Sequence, residues 1–344
     1  MPVLAATDPP ATPPRPARVK RAVCTLFQGR ALLQSHRWIN PLTFAAHALA
    51  VRLPRLRPVC APVYIMSTGR TGTTVLGDIL SRHDDVAYLN EPKALWHSAY
   101  PGGDVIGSYS RKPGTIRLDA SHADAAVQQR FHRLYGAVLA ATARRRIIDK
   151  NAELTFRFHF LRAIFPDARF ILLTRNGHDA CTSVHRWSQT HGRQRSGLTV
   201  DWWGVNSRKW HLLVDELAAD EPMLADRVEQ LHAIEDQTDR AALEWALVMR
   251  QGLRLAEKYP ACVQAVSYEQ LTRQPRLTLE AILRFCELSI QESVLAYGEQ
   301  VLRVNPPRPA LRLHPLIQPL FDQAMRELDA AGLGQAGVAG DEAR

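Results

Sequence analysis

Hydrophobic positions in this chain fall into short runs separated by polar stretches with helical spacing. "PVYIM" at residues 62–66 is a compact β-rich run, and "TTVLGDILSRH" after it carries Val75, Ile79 and Leu80 on one helical face. "RRIIDKN" is a second such run, followed by "AELTFRFHFLRAIF", whose apolar residues recur every three or four positions until Pro166 and Asp167 break the pattern. "ARFILLTRN" is the clearest strand, and Asn176-Gly177 then starts a helix predicted from His178 to Gln189. "CVQAVSYEQL" reads as a further strand leading into the helix "LTLEAILRFCEL". Strands alternating with helices predict an α/β fold: three layers, α/β/α, around a central parallel sheet. Ligands of such sheets bind beyond the C-terminal ends of the strands, and polar motifs follow several of these strands.

The flanking segments read differently. Residues 1–22 are Pro-rich and predicted to be a disordered basic leader, and residues 23–57 a basic helical segment. Pro58 and Pro62 punctuate the entry to the α/β domain, assigned to 58–320, with a C-terminal helix and flexible tail over 321–344. The Trp-rich stretch 195–256 reads as a helical insertion, and no tandem repeat is present.

Composition narrows the picture. The chain has 344 residues, 46% of them hydrophobic, enough for a substantial core. No apolar run reaches the roughly 18 residues needed to span a bilayer, and prolines lie where a signal peptide would be apolar, so a cytoplasmic protein is expected. Five widely spaced cysteines (Cys24, Cys60, Cys181, Cys262, Cys286) with no C-x-x-C argue against a disulfide framework and structural zinc, and are expected to be buried thiols. The net charge is +9, and residues 1–58 hold nine basic residues against the single acid Asp8. The remaining chain is nearly neutral, which excludes a nucleic-acid binder. Residues 15–57 are instead expected to suit peripheral contact with an anionic membrane.

The candidate chemistry centres on "YIMSTGRTGTTVL", a strand, a glycine loop and a helix. Gly69 and Gly72 allow turns that converge several N–H groups on one anion, and the helix N-terminus adds partial positive charge. In register with G-x-x-x-x-G-K-[ST], Gly72 falls on the second Gly, Ser67 on the first, and Thr73 on the Lys. The phosphate-reaching Lys is absent, and Arg70 supplies the cation instead. A kinase or ATPase would want that Lys and an acidic partner for Mg²⁺.

"STGRTGTTVL" resembles the 5′-phosphosulfate loop of the sulfotransferases, whose donor is 3′-phosphoadenosine 5′-phosphosulfate (PAPS). "RFILLTRNGHDACTS" is similar to the family's 3′-phosphate strand, with Arg175 and Ser183 at the matching spacing, although Asn176-Gly177 stands where the family usually has Asp-Pro. "VSYEQLTRQPRLTLEAILRFCEL" is similar to the family's Tyr-Glu-x-Leu strand end and places Tyr268 near the adenine. The resemblance runs from about residue 63 to 290. It implies a P-loop-like fold and metal-independent, in-line transfer of a sulfuryl group from PAPS to a hydroxyl (or amine) acceptor: a sugar, lipid or peptide. It also implies site roles. Ser67, Gly69, Arg70, Thr71, Gly72, Thr73 and Thr74 would cradle the 5′ end of the donor, with Arg175, Ser183 and Tyr268 at the 3′-phosphate and base; beyond the resemblance, "NPPRPALRLHP" offers Arg308 and Arg312 as further basic candidates for the 3′-phosphate, at a spacing that differs from the family's. Lys150 matches the family's second lysine, and no His follows it closely. Glu91, in the Asn-Glu-Pro turn of "VAYLNEPKALW", is therefore the expected general base, its pKa raised in a partly dry cleft. Two other classes stay open: a P-loop nucleotide kinase or phosphotransferase, and a non-catalytic nucleotide-binding protein recruited to membranes.

Overall fold

The computed structural model describes residues 15–334 except 32, 196, 305 and 307; the rest of the predicted leader and tail lies outside the described residues. Helix α1 (Arg15–Gln28) starts inside the predicted leader, and α2 (Asn40–Ala50) follows it. Strand β1 (Val63–Met66) then leads through the glycine loop into α3 (Thr73–Leu80). Next come β2 (Val86–Asn90), α4 (Lys93–Ala99), α5 (Ala125–Thr142), β3 (Arg146–Lys150), α6 (Phe158–Ile164), β4 (Arg169–Thr174) and α7 (Gly177–His191). A small meander of β5 (Arg193–Arg195), β6 (Leu198–Asp201) and β7 (Gly204–Val205) precedes α8 (Arg208–Leu213), α9 (Val228–His232) and α10 (Gln237–Lys258). The chain continues with β8 (Val263–Ser267), α11 (Tyr268–Arg273), α12 (Pro275–Phe285), α13 (Glu292–Val301) and α14 (Gln318–Ala330).

The main sheet has the order β2-β3-β1-β4-β8, with every pairing parallel. Each strand therefore needs apolar side chains on both faces, and the runs "VYIM" and "FILL" are buried at every position. Alternation along β1 sends Tyr64 and Met66 to a core under α5 and α6, and Val63 and Ile65 to a core under α3, α12 and α13. This is the predicted three-layer α/β/α arrangement. β1 lies at the centre, where the strand order reverses, so the crevice opens beyond its C-terminal end.

Three details depart from the sequence reading. The 195–256 stretch does not begin as helix: residues 193–205 form an antiparallel meander, with Gly204 at φ +80° against the backbone of Ile106. The helix expected from Ala152 is split into a 3₁₀ turn (Leu154–Arg157) and α6. Arg157 is buried at that junction and donates to the carbonyls of Gly103, Thr115 and Ile116, a demand that helical spacing does not reveal. The cysteines are all free, but only Cys24, Cys181 and Cys286 are buried; Cys60 is exposed and Cys262 half-buried. Among the described residues no helix is long and apolar enough to cross a membrane.

Candidate active site

Each strand of the main sheet delivers one candidate residue from its C-terminal end. Arg70 follows β1, Glu91 follows β2, Lys150 closes β3, Arg175 follows β4 and Tyr268 follows β8. Sequence-distant positions thus converge because five parallel strands end on one edge.

The glycine loop is held from within. Ser67 Oγ donates to the Leu173 carbonyl at 2.6 Å and sits 2.7 Å from Thr71 Oγ1, which donates to the Thr68 carbonyl. These two hydroxyls set the loop's shape and are spent on the chain itself. Gly72, at φ +97°, caps α3 and lies under Tyr268, whose ring a Cβ would meet at 2.4 Å. Gly69 lies against Trp202 in the same way, at 2.1 Å. Both glycines thus let an aromatic ring close over the loop. Thr73 and Thr74 open α3, where the first amides of a helix lack carbonyl partners and can bind an anion.

Arg70 reaches across this edge, its Nε donating to Ser183 Oγ at 3.1 Å. Arg175 donates to the Arg70 carbonyl at 2.9 Å and lies 4.6 Å from the Tyr268 ring centroid. It faces Asp179 at 3.8 Å, and its buried Nε has no protein partner. Two guanidiniums side by side, one with an unpaired donor, form a site that an anion would complete. Burial and the neighbouring Arg175 both push the Arg70 pKa down, while Glu91 pulls it up. Arg308 is near as well: its backbone N–H donates to Asp179 at 2.9 Å, although its side chain is exposed. The sequence-predicted residues Arg70, Ser183, Arg175, Tyr268 and Arg308 are therefore joined by a short series of contacts.

Glu91 and Lys150 form an ion pair at 2.7 Å. The Glu91 backbone is left-handed, at φ +50°, and is pinned by its N–H to the Lys150 carbonyl at 2.7 Å. A non-glycine residue in that region is strained and persists only where its surroundings over-determine it. Burial pushes the Glu91 carboxyl up, but Lys150 and then Lys93 more than offset it, leaving the pKa below its ordinary value. The raised pKa expected from the sequence is thus corrected, because folding brings Lys150 and Lys93 together beside the carboxylate.

Behind this pair lies a charged network that sequence reading missed. Lys93 Nζ bonds Glu153 at 3.2 Å and Asn151 at 3.0 Å. Lys209 pairs with Glu244 at 2.5 Å, and Trp202 Nε1 donates to the same carboxylate at 3.1 Å. The one available signal was Glu244, a lone acid inside the apolar run "AALEWALVM". Glu91, Lys93 and Glu153 line a cavity of about 130 Å³ whose walls include Trp187, Trp202 and Leu33. Of the tryptophans in the 195–256 stretch, Trp203, Trp210 and Trp245 are core, and Trp202 belongs to this cavity. His178 and His185 are structural, His178 accepting from the Leu311 amide and His185 lying 3.2 Å from Thr238.

Next to Lys150, fully buried Asp149 accepts from Trp96 at 2.8 Å and Tyr135 at 2.6 Å. Burial outweighs these bonds and raises its pKa from 3.8 to about 6. A carboxyl raised on folding favours the folded state at low pH and loses that contribution as pH climbs through the folded pKa. Relative to Asp149→Asn, the wild type should therefore lose roughly 2–3 kcal/mol of stability between about pH 4 and pH 7. Urea unfolding of both proteins across this range checks the expectation; parallel curves would exclude it.

Comparison with known proteins follows this geometry. Residues 62–292 match the model of the Sulfotransferase family. The chain is 23% identical over 258 residues to an uncharacterized protein of Aquifex aeolicus (strain VF5), covering 71% of this chain and 28% of that one. It is 46% identical over 41 residues to carbohydrate sulfotransferase 7 of Mus musculus, covering 12% of this chain and 8% of the relative. It therefore spans well under a third of the length of either curated relative. Among solved structures, sulfotransferase STF9 from Mycobacterium avium aligns with a TM-score of 0.48 and 16% identity, over 85% of this chain and 83% of that one. With its phosphate-type loop at the centre of a parallel sheet and the family model matching two thirds of its length, the chain belongs to the Sulfotransferase family.

Proposed function

We propose that this protein transfers a sulfuryl group from PAPS to a hydroxyl-bearing acceptor by metal-independent in-line displacement. The observation that carries the reading is the pairing of Arg70 with Arg175 and Ser183 beside a helix N-terminus that has no Walker lysine. PAPS, when bound, supplies an activated sulfuryl group whose bond to the 5′-phosphate breaks as the acceptor oxygen bonds to sulfur.

The residues of this chain then divide the work. Arg175 and Ser183 hold the 3′-phosphate, with the Arg308 segment beside them, and Tyr268 takes the adenine side. Arg70 and the amides of residues 71–74 hold the 5′-phosphate. Lys150 offsets charge on the departing phosphate oxygen, and Glu91 accepts the acceptor's proton. The Glu91–Lys150 ion pair supports a coupled arrangement. When Lys150 turns towards the donor's oxygens, Glu91 loses the cation that depresses its pKa and becomes a stronger base as the site fills. The cavity beside Glu91, with tryptophan walls and an ionic floor, suits a sugar, lipid or peptide hydroxyl. The name of the mouse relative points to carbohydrate among these.

Calorimetric titration with adenosine 3′,5′-bisphosphate, and with ATP with and without Mg²⁺, tests the reading. The bisphosphate should bind without metal and more tightly than ATP. Metal-dependent preference for ATP would overturn the proposal in favour of a phosphotransferase.

A further inference from the structure

Helix α2 is a surface helix without a charged side chain. "NPLTFAAHALA" buries Asn40, Thr43, His47 and Ala50 along one face. That face is anchored: Thr43 Oγ1 donates to the Leu26 carbonyl at 2.8 Å, and His47 bonds both the Phe27 carbonyl and Ser98 Oγ at 2.9 Å. The opposite face is more apolar than the buried one. Trp38 is 71% exposed, Leu42 and Leu49 are each 60% exposed, and Ala45 is exposed between them. Positions 38, 42, 45 and 49 fall on one helical stripe, and Leu56 extends it beyond the helix at 48% exposure. Water is a poor neighbour for such a stripe, and α1, α4 and α5 already hold the other side of the helix.

Charge decides what covers it. No Asp or Glu occurs between Asp8 and Asp78, while Arg52 and Arg55 stand exposed at the C-terminal end of the stripe. We propose that α2 and the residues flanking it form a docking face for an anionic bilayer. Leu42, Leu49 and Trp38 enter the boundary between headgroups and acyl chains, and Arg52 and Arg55 pair with lipid phosphates. A second copy of this chain seated on the same stripe would set one basic, acid-free surface against another, and a nucleic acid would leave the stripe uncovered. The same segment carries Ala31 and Leu33 into the wall of the cavity beside Glu91, so docking sets that cavity alongside the membrane surface. The docking face does not depend on the chemistry proposed for the site.

The test is co-sedimentation of the full chain with vesicles of phosphatidylcholine alone and of phosphatidylcholine mixed with phosphatidylglycerol. The protein should pellet with the mixed vesicles and remain in solution with the neutral ones. The double variant Leu42→Asp/Leu49→Asp should lower the bound fraction at least ~10-fold, and Arg52→Glu/Arg55→Glu by a similar factor that shrinks in high salt. Circular dichroism and thermal unfolding show whether each variant is folded, and none of these four residues touches the candidate site. The proposal is overturned if the parent protein stays in solution with both vesicle types, or if both variants pellet like the parent. It is equally overturned if Leu42→Asp/Leu49→Asp converts a dimer to a monomer in analytical ultracentrifugation without changing vesicle binding, which would assign the face to a second copy.

Discussion

Replacing Arg175 with alanine is expected to weaken adenosine 3′,5′-bisphosphate binding at least ~100-fold, since each charge-assisted hydrogen bond contributes about 1.5–3 kcal/mol. Arg175 is the strand-end guanidinium with a buried, unpartnered Nε, held over the Tyr268 ring and fixed by the Arg70 carbonyl. Its fork is thus oriented before a ligand arrives, so little ordering cost is left to the binding step. The alanine variant also removes a bond that shapes the loop. Arg175→Lys, which keeps the charge and loses the fork, should therefore recover only part of the affinity. Calorimetry on the two variants, with thermal unfolding as the check on folding, decides the matter. Wild-type affinity in a folded Arg175→Ala protein would remove this residue from the phosphate site.

Glu91→Gln should leave bisphosphate binding unchanged or slightly tighter, because Lys150 loses its carboxylate partner and becomes free to face an anion. Turnover should fall at least ~100-fold, the usual scale for losing a positioned base. Lys150→Met is the informative companion. Without that cation, the largest of the charges that oppose burial is gone, and the Glu91 carboxyl should titrate at a higher pH than in the wild type. A base works in its deprotonated form, so the acidic limb of the kcat/KM profile should move to higher pH in Lys150→Met. An acidic limb unmoved by Lys150→Met, together with near-normal turnover in Glu91→Gln, would mean that another group accepts the proton.

Much of the sheet was legible because parallel strands buried on both faces must be written as continuous apolar runs, as "VYIM" and "FILL" are. β2 was seen only as a short apolar run before Glu91, since "VAYLN" is too brief to separate from a buried helix turn. The β5–β7 meander departs from the helix that the sequence predicts because Gly204, at φ +80°, packs against the Ile106 backbone, a contact between distant segments that no local pattern shows. In the candidate site, the loop and the Arg175–Ser183 spacing are local patterns and could be read directly. Lys93, Glu153 and Lys209 could not, because each is an ordinary charged residue until folding sets it beside its counter-charge.

By itself the sequence determined the alternation of strand and helix, the glycine loop with Arg70 in place of a lysine, and the concentration of basic residues before the α/β domain. These are properties of neighbouring residues, set by side-chain periodicity and backbone freedom. Only the tertiary structure decided that the Glu91 carboxyl is held below rather than above its ordinary pKa, because that depends on charges that arrive from other elements. Only the tertiary structure, likewise, decided which side of α2 faces outward. By hydropathy alone the Leu42–Leu49 side would be the one to bury, yet the hydrogen bonds of Thr43 and His47 to α1 and α4 turn the more polar side inward and leave Trp38, Leu42 and Leu49 to the solvent.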